Sequence, residues 1–411
     1  LLPRIDILGW HSATVDMQYI CGRRLLMSND ANPSAMPLPS SIPEVRRNAY
    51  LQGRLYLGMV TVGTWVVFAT LLLASGALES LGIWLAKLGL PDLAALSMMV
   101  LGFCLIQLPF DWLGGHWLPQ RYGLPSHFTL PSYCMAVFKH GLIFSASINI
   151  LHVAGEHLGL TGALGALLLL IMVGVQSQHL LARWLGCLKN KTLERDDGVL
   201  IYEGTDTAFS GGISGWPGLE RVILNHSWQG ELKTNGMAWL KDRRRRAIRS
   251  GLRMNGLLWA IMWISSSFIF AAFLAGFPSG DVAATMRMLL YSVFFHFGGL
   301  LLLPTLSRRG SLALDGLDST PSNACSQTKE WTKAITILTD GEERRSPWIE
   351  RIFHPLPSME NRMTPSENAG WAAWNATRYM LFLSTLAGGL LSRSVHCNIG
   401  RPELWIMPPV D

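Results

Sequence analysis

Seven apolar runs, each close to the ~20 residues that cross a bilayer's hydrocarbon core, set the terms for this chain of 411 residues. They fall at Tyr56–Gly76, Leu93–Leu113, Cys134–Val153, Leu158–Ser177, Gly256–Gly276, Ala284–Leu306 and Trp371–Leu391. A backbone in lipid must satisfy its own hydrogen bonds, so runs of this length and separation predict helices that span a membrane. The third run carries Lys139 and His140 near its start, and the last is the least apolar. Charged residues make up only 15% of the chain, against about 25% in soluble globular domains. Sixteen Trp suit the two interfacial belts, where an amphipathic ring sits at headgroup level.

The formal charge of +6 is concentrated between the apolar runs. It reads as orientation charge, and with no interleaving of basic and aromatic residues it predicts no nucleic-acid partner. Arg46, Arg47 and Arg54 precede the first run, which places the N-terminus in the cytoplasm, and the expected location is the inner membrane of a bacterium. Alternate threading then puts Arg121, the region from Arg183 to Arg253, and Arg308 and Arg309 inside. The loops Glu79–Asp92, Ala154–His157 and Phe277–Val282 fall outside with one basic residue, Lys87. A seventh span sends the tail after Leu391 outside as well, where Arg393 and Arg401 run against the rule.

Residues 1–53 read as a flexible tail rich in Pro, Ser and Asn, with no early apolar core of a cleavable signal. Residues 54–178 hold spans one to four, 254–306 spans five and six, and 371–411 the last span and tail. Two polar segments remain, 179–253 and 307–370. The first reads as a strand Val199–Tyr202, a glycine-rich turn Ser210–Gly218, and a hairpin-partner strand Arg221–Leu224, followed by a helix bearing Arg243-Arg-Arg-Arg246. The turn lacks the Gly-Lys-Ser/Thr ending of a phosphate loop. The second contains a helix near Thr328–Leu338. Neither is large enough alone for a good core, so the two are expected to pack as one cytoplasmic α+β domain on a mainly α-helical, seven-span membrane protein.

Six cysteines (Cys21, Cys104, Cys134, Cys187, Cys325, Cys397) include no CxxC pair, and Cys104 and Cys134 read as small core residues. His152-Val-Ala-Gly-Glu-His157 spaces its rings five positions apart, or about 140° around a helix, which suits a polar cap better than a metal site. His140, His179 and His296 lie in or beside spans and read as hydrogen-bonded packing residues. Asp111 and Arg121 are expected to pair across a loop.

Five fragments, in order, resemble the M48 family of membrane zinc metallopeptidases, which includes the CAAX prenyl proteases and HtpX-type proteases. Leu108-Pro-Phe-Asp-Trp…Gln120-Arg-Tyr-Gly123 is similar to a loop after an early span. Asp206-Thr-Ala-Phe-Ser-Gly-Gly is similar to the family's Asn-Ala-Phe-Ala-x-Gly, and Glu220-Arg-Val-Ile-Leu224 to its edge strand. Aligning Leu232 and Met237 puts the metal-binding HExxH on Arg243-Arg-Arg-Arg-Ala247. Ser311-Leu-Ala-Leu-Asp315 stands where the family has a Glu ligand four residues before an Asp. Leu356-Pro-Ser-Met-Glu-Asn-Arg362 echoes its His-Pro-Ser…Arg, with His354 two residues early.

The resemblance implies zinc hydrolysis, and the residues at those positions oppose it. Arg243 and Ala247 replace the two histidines, Arg244 the glutamate and Ser311 the third ligand. A guanidinium stays protonated and offers no lone pair to a metal. The chain is therefore expected to bind no metal or cofactor and to act as a non-catalytic scaffold or accessory subunit, with other integral membrane subunits and membrane lipids as partners. The alternative is a membrane-embedded zinc endopeptidase with non-standard ligands, such as His226 or His354. Arg243, Arg244, Arg245, Arg246 and Arg249 read as a patch for anionic lipid or a partner. A buried arginine needs a carboxylate, so one of Arg243, Arg244 or Arg246 is expected to meet Asp315.

Overall fold

The computed structural model describes residues 44–124, 130–190, 198–318, 324–363, 371–384 and 388–410. Helices α1 (Glu44–Ser75), α3 (Asp92–Trp112), α5 (Leu130–Gly186), α7 (Leu252–Ala275) and α8 (Val282–Asp318) are long and apolar enough to cross a membrane. In the apolar window of α5 only 22% of residues are buried within the protein, so its hydrophobic surface faces outward, as lipid contact requires. A short helix α2 (Ala77–Lys87) follows α1, and its Glu79 pairs with Arg287 near the start of α8.

Helix α5 contains the predicted third and fourth spans. Gly159, at φ 69° and ψ −168°, breaks it, a backbone conformation that side chains rarely tolerate. Lys139 Nζ donates to the Trp184 carbonyl at 2.6 Å. In one straight helix those residues would lie about 68 Å apart, so the two halves run antiparallel as a hairpin.

The helix α3 does not end in a loop at Leu108–Gly123, as the family resemblance implied. It continues through a π-helical turn, Leu113–Trp117, into α4 (Leu118–Arg121). Nor does the N-terminal tail reach residue 53. Its residues 44–53 form the first turns of α1, with Tyr50 and Leu51 buried, and residues 1–43 lie outside the described residues.

The seventh predicted span is replaced by α12 (Ala376–Leu383) and α13 (Gly388–Ser394). Eight residues of helix reach about 12 Å, far short of the ~30 Å core. All eight residues of α12 are buried, packed against α7 and α8. The run is apolar because protein surrounds it. With that span gone, the tail is not on the opposite face: residues 395–410 pack into the polar domain.

The domain centres on strands β1 (Lys189–Asn190), β2 (Val199–Glu203), β3 (Gly211–Ser214) and β4 (Arg221–Asn225), in the order β1-β2-β4-β3. The predicted hairpin of β2 with β4 is not formed, because these strands are parallel, in register from Val199–Val222 to Tyr202–Asn225. The glycine-rich stretch supplies the antiparallel neighbour instead: Gly211 pairs with Leu224 and Ser214 with Arg221. A Cβ on Gly211 would stand 2.2 Å from the Ile223 carbonyl oxygen, so this close pairing requires glycine. Helices α6 (Gln229–Arg249), α9 (Ala324–Leu338), α10 (Pro347–Phe353) and α11 (Met359–Met363) complete the domain. Val222, Leu224, Leu240, Ile335 and Leu338 form one apolar cluster, so the two polar segments share a core.

Candidate functional site

Leu232, Gly236, Met237, Leu240, Arg243, Arg244 and Ala247 are the buried residues of α6, a stripe at the three- and four-residue spacing of a helix packed on one face. Arginines close that stripe where an apolar residue would ordinarily sit. Arg243 is 1% exposed, and its Nη2 lies 2.7 Å from Asp315 Oδ1. Arg362, following α10, donates Nε and Nη2 to the two oxygens of the same carboxylate at 3.0 and 2.9 Å, a fork-to-fork pair. One carboxylate on α8 thus ties α6 to α11.

The neighbouring positions are equally committed. Arg244 donates to the carbonyls of Ser210, at 2.8 Å, and Ile223, fastening α6 to the sheet. Ala247 packs with Ile213, Leu314, Trp374 and Val410. Ser311 is buried one turn before Asp315. The sequence expects Arg243, Arg244 or Arg246 to meet Asp315, and Arg243 does so. The lipid or partner patch needs correction: Arg243 and Arg244 are buried and engaged, leaving Arg249 exposed and Arg245 and Arg246 half-buried. Two arginines face inward because helical spacing puts them on the stripe that meets β3, β4 and α8.

Zinc does not fit this arrangement. Arg243, Arg244, Ala247 and Ser311 present no imidazole or carboxylate, and Asp315 already accepts from two guanidiniums. Among the described residues no group of three His, Cys, Asp or Glu is disposed to hold a metal ion. His354 does stand beside a second histidine, His396, with ring centroids 4.7 Å apart, but arginines surround both. Burial together with the charges of Arg345, Arg308 and Arg378 pushes the His354 pKa well below its ordinary value, and burial with Arg345, Arg54 and Arg378 lowers that of His396 to about 3.

The other singled-out histidines are packing residues. His152 Nδ1 lies 2.8 Å from Thr285 Oγ1, His296 Nδ1 donates to the Ser292 carbonyl at 2.7 Å, and His179 Nδ1 lies 3.1 Å from Ser214 Oγ. His140 stacks on Phe144. Cys104 is buried as expected, while Cys134 is exposed at the start of α5.

Two clusters escaped the sequence reading. Asp111 does not pair with Arg121, whose guanidinium lies over Trp117. It pairs with Arg393 at 2.5 Å, both side chains 0% exposed. Arg401 reaches Asp206 and Asp340 together, and Glu403 accepts from the backbone N–H groups of Thr205 and Asp206 at 3.0 Å each. Arg393 and Arg401, the two cations that broke the orientation rule, are thus internal ties. The signal for them was that anomaly. Past Arg401 the tail is held beside the sheet and α5: Val410 N donates to Ser210 Oγ at 3.1 Å, just before β3, and Gln178 Nε2 donates to the Ile406 carbonyl at 3.1 Å.

Apolar helices of crossing length surround a small sheet and a buried centre that joins α6 to α8. The crystal structure of S. mikatae Ste24p superposes with a TM-score of 0.58, covering 78% of this chain and 97% of that one. At 10% identity the likeness is one of fold. No family model and no curated protein sequence matches the chain.

Proposed function

We propose that this chain is a non-catalytic, M48-like membrane protein that serves as a scaffold or accessory subunit of a larger membrane assembly. The observation that carries the reading is the grip of Arg243 and Arg362 on Asp315. At the positions where the motif resemblance puts a metal and its ligands, two cations hold the one carboxylate. Hydrolysis there would need an activated water, and cations joined to Asp315 supply neither a base nor a metal. The Ste24p-like fold supports the alignment behind this reading, since the fragments that resemble M48 motifs fall on α6 and α8 of such a fold. The apolar outer faces of α1, α5 and α7 supply surface for neighbouring spans, with Val67, Leu169 and Phe270 all more than half exposed.

Affinity purification from native membranes in mild detergent tests the role, alongside metal analysis and a peptidase assay on the same preparation. The expected result is stoichiometric integral-membrane partners, no bound zinc and no cleavage. Zinc at one per chain with activity lost on chelation would overturn the reading, as would a monodisperse protein that brings no partner.

A further inference from the structure

Helix α10 is pinned at a definite height on the molecule. Arg308, two residues past the apolar run Ala284–Leu306 of α8, donates Nη1 to three carbonyls at the C-terminal end of α10: those of Glu350, of Arg351 at 3.0 Å and of His354 at 2.8 Å. Carbonyls at a helix end lack partners within the helix, and a cation there meets the negative end of its dipole. Phe353, on the same helix, lines an apolar cleft between α1 and α8 together with Met59 and Leu301. Thus α10 lies where the apolar surface of the spans gives way to the polar domain.

Exposed indoles mark the same level. Ala373 N donates to the Leu306 carbonyl at 3.3 Å, and two residues before it Trp371 is 72% exposed. Trp112 and Trp184, at the domain ends of α3 and α5, are also exposed. Indoles favour headgroup level, so these residues place α10 at the membrane surface.

The outward face of α10 is apolar and basic at once. Trp348 is 71% exposed, Ile349 is exposed beside it, and Arg351 faces out one turn along. Glu350, the one acid of this helix, is buried, and its carboxylate accepts from the Ser358 N–H at 3.1 Å and from Asn361 Nδ2 at 2.8 Å. Arg309 is exposed on α8, and the charges of Arg309 and Arg351 both reach Arg308 between them. The exposed acids nearest in sequence, Glu343 and Glu360, already face Lys333 at 3.3 Å and Arg344 at 3.9 Å. Water solvates the indole and the isoleucine poorly, and the arginines repel one another. A surface with an apolar interior and a negative face relieves both, as it does for amphipathic helices lying in a bilayer interface.

We propose that α10 and Arg309 form a binding surface for an anionic phospholipid, with Arg309 and Arg351 against its headgroup and Trp348 and Ile349 at the top of its acyl chains. The surface is separate from the Arg243–Asp315 centre and stands without the function proposed above. Native mass spectrometry of the full chain in detergent, titrated with phosphatidylglycerol or phosphatidylcholine, tests it. Each basic side chain near an anionic surface is worth about a factor of five, so phosphatidylglycerol should bind at least fivefold more tightly than phosphatidylcholine. The double variant Arg309→Gln, Arg351→Gln should bring that ratio close to one. Trp348→Ser should weaken binding of both lipids alike, about threefold, and leave the ratio in place. Arg249→Gln, which removes an exposed cation on α6, should change neither. Equal binding of the two lipids by the unaltered chain, a ratio that survives the double variant, or a ratio lost in Arg249→Gln would each overturn the proposal. So would unchanged affinities in Trp348→Ser, or displacement of phosphatidylglycerol by an equal concentration of inorganic phosphate. If the double variant does not fold, Arg351→Gln alone carries the test, and its ratio should fall about fivefold.

Discussion

A single carboxylate on α8, Asp315, accepts from Arg243 and Arg362 and holds both cations. Breaking a buried pair by removing one side costs about 3–5 kcal/mol, because a charge is left behind without compensation. Asp315→Ala should therefore lower unfolding stability by about 3 kcal/mol or more in detergent, while Arg362→Ala should cost less, since Arg243 still neutralises the carboxylate. Thermal unfolding of the two variants side by side checks the order. The pair Asp111–Arg393 is sealed from solvent on both sides, so its behaviour should be non-additive. Asp111→Leu and Arg393→Met should each destabilise strongly, and the double variant should recover much of the loss. His354 and His396 set an acid limit. Both are held neutral in the folded state, whereas an exposed histidine protonates near pH 6.5. The unfolded chain therefore takes up protons first. Stability is full above about pH 6.5 and falls as pH drops toward the His396 value of about 3. A His354→Gln, His396→Gln variant should show a flatter decline of Tm between pH 6.5 and 4.

The elements divide into those that local pattern announces and those that only the fold explains. Six of the seven apolar runs lie in helices of crossing length because a lipid-facing helix must be apolar around its circumference, a signal that survives in one dimension. Trp371–Leu391 misled because a segment enclosed by protein obeys the same composition rule as one enclosed by lipid. The pairing of β2 with β4 was hidden because parallel register depends on what intervenes, and the intervening glycines looked like a turn. Arg243 meeting Asp315 was legible, since burial demands a counter-charge and the motif order narrowed the choice to one acid. The partners of Arg393 and Arg401 were not legible, because they lie 61 to 282 residues away in sequence. Close approach between elements gives its own test. A Cβ on Gly256 of α7 would stand 1.9 Å from the Trp374 carbonyl oxygen just before α12. Gly256→Ala should therefore cost about 1–3 kcal/mol by overpacking, despite alanine's better helix propensity, which chemical denaturation would detect.

Across the whole molecule, α1, α3, the two halves of α5, α7 and α8 are the segments with the composition to cross, and six passes are expected to bring both ends of the described chain to one face. Arg47 at the start of α1 already reaches the Gly341 carbonyl, and the tail threads through the same domain. Cysteines introduced at Glu44 and Leu219 should react with a membrane-impermeant maleimide from the same side, and one at Lys87 from the other. Labelling of Glu44→Cys and Leu219→Cys from opposite sides would contradict the arrangement.

The strap formed by residues 395–410 carries an implication for biosynthesis. Every element it fastens, from α1 through the sheet to α9, leaves the ribosome before it does. Until it emerges, Asp206 and Asp340 lack Arg401, and the Asp111 carboxylate lacks the Gly400 N–H. The nascent protein therefore keeps its domain unlatched until residues 395–410 emerge, and it is most vulnerable to proteases and misassembly before they do.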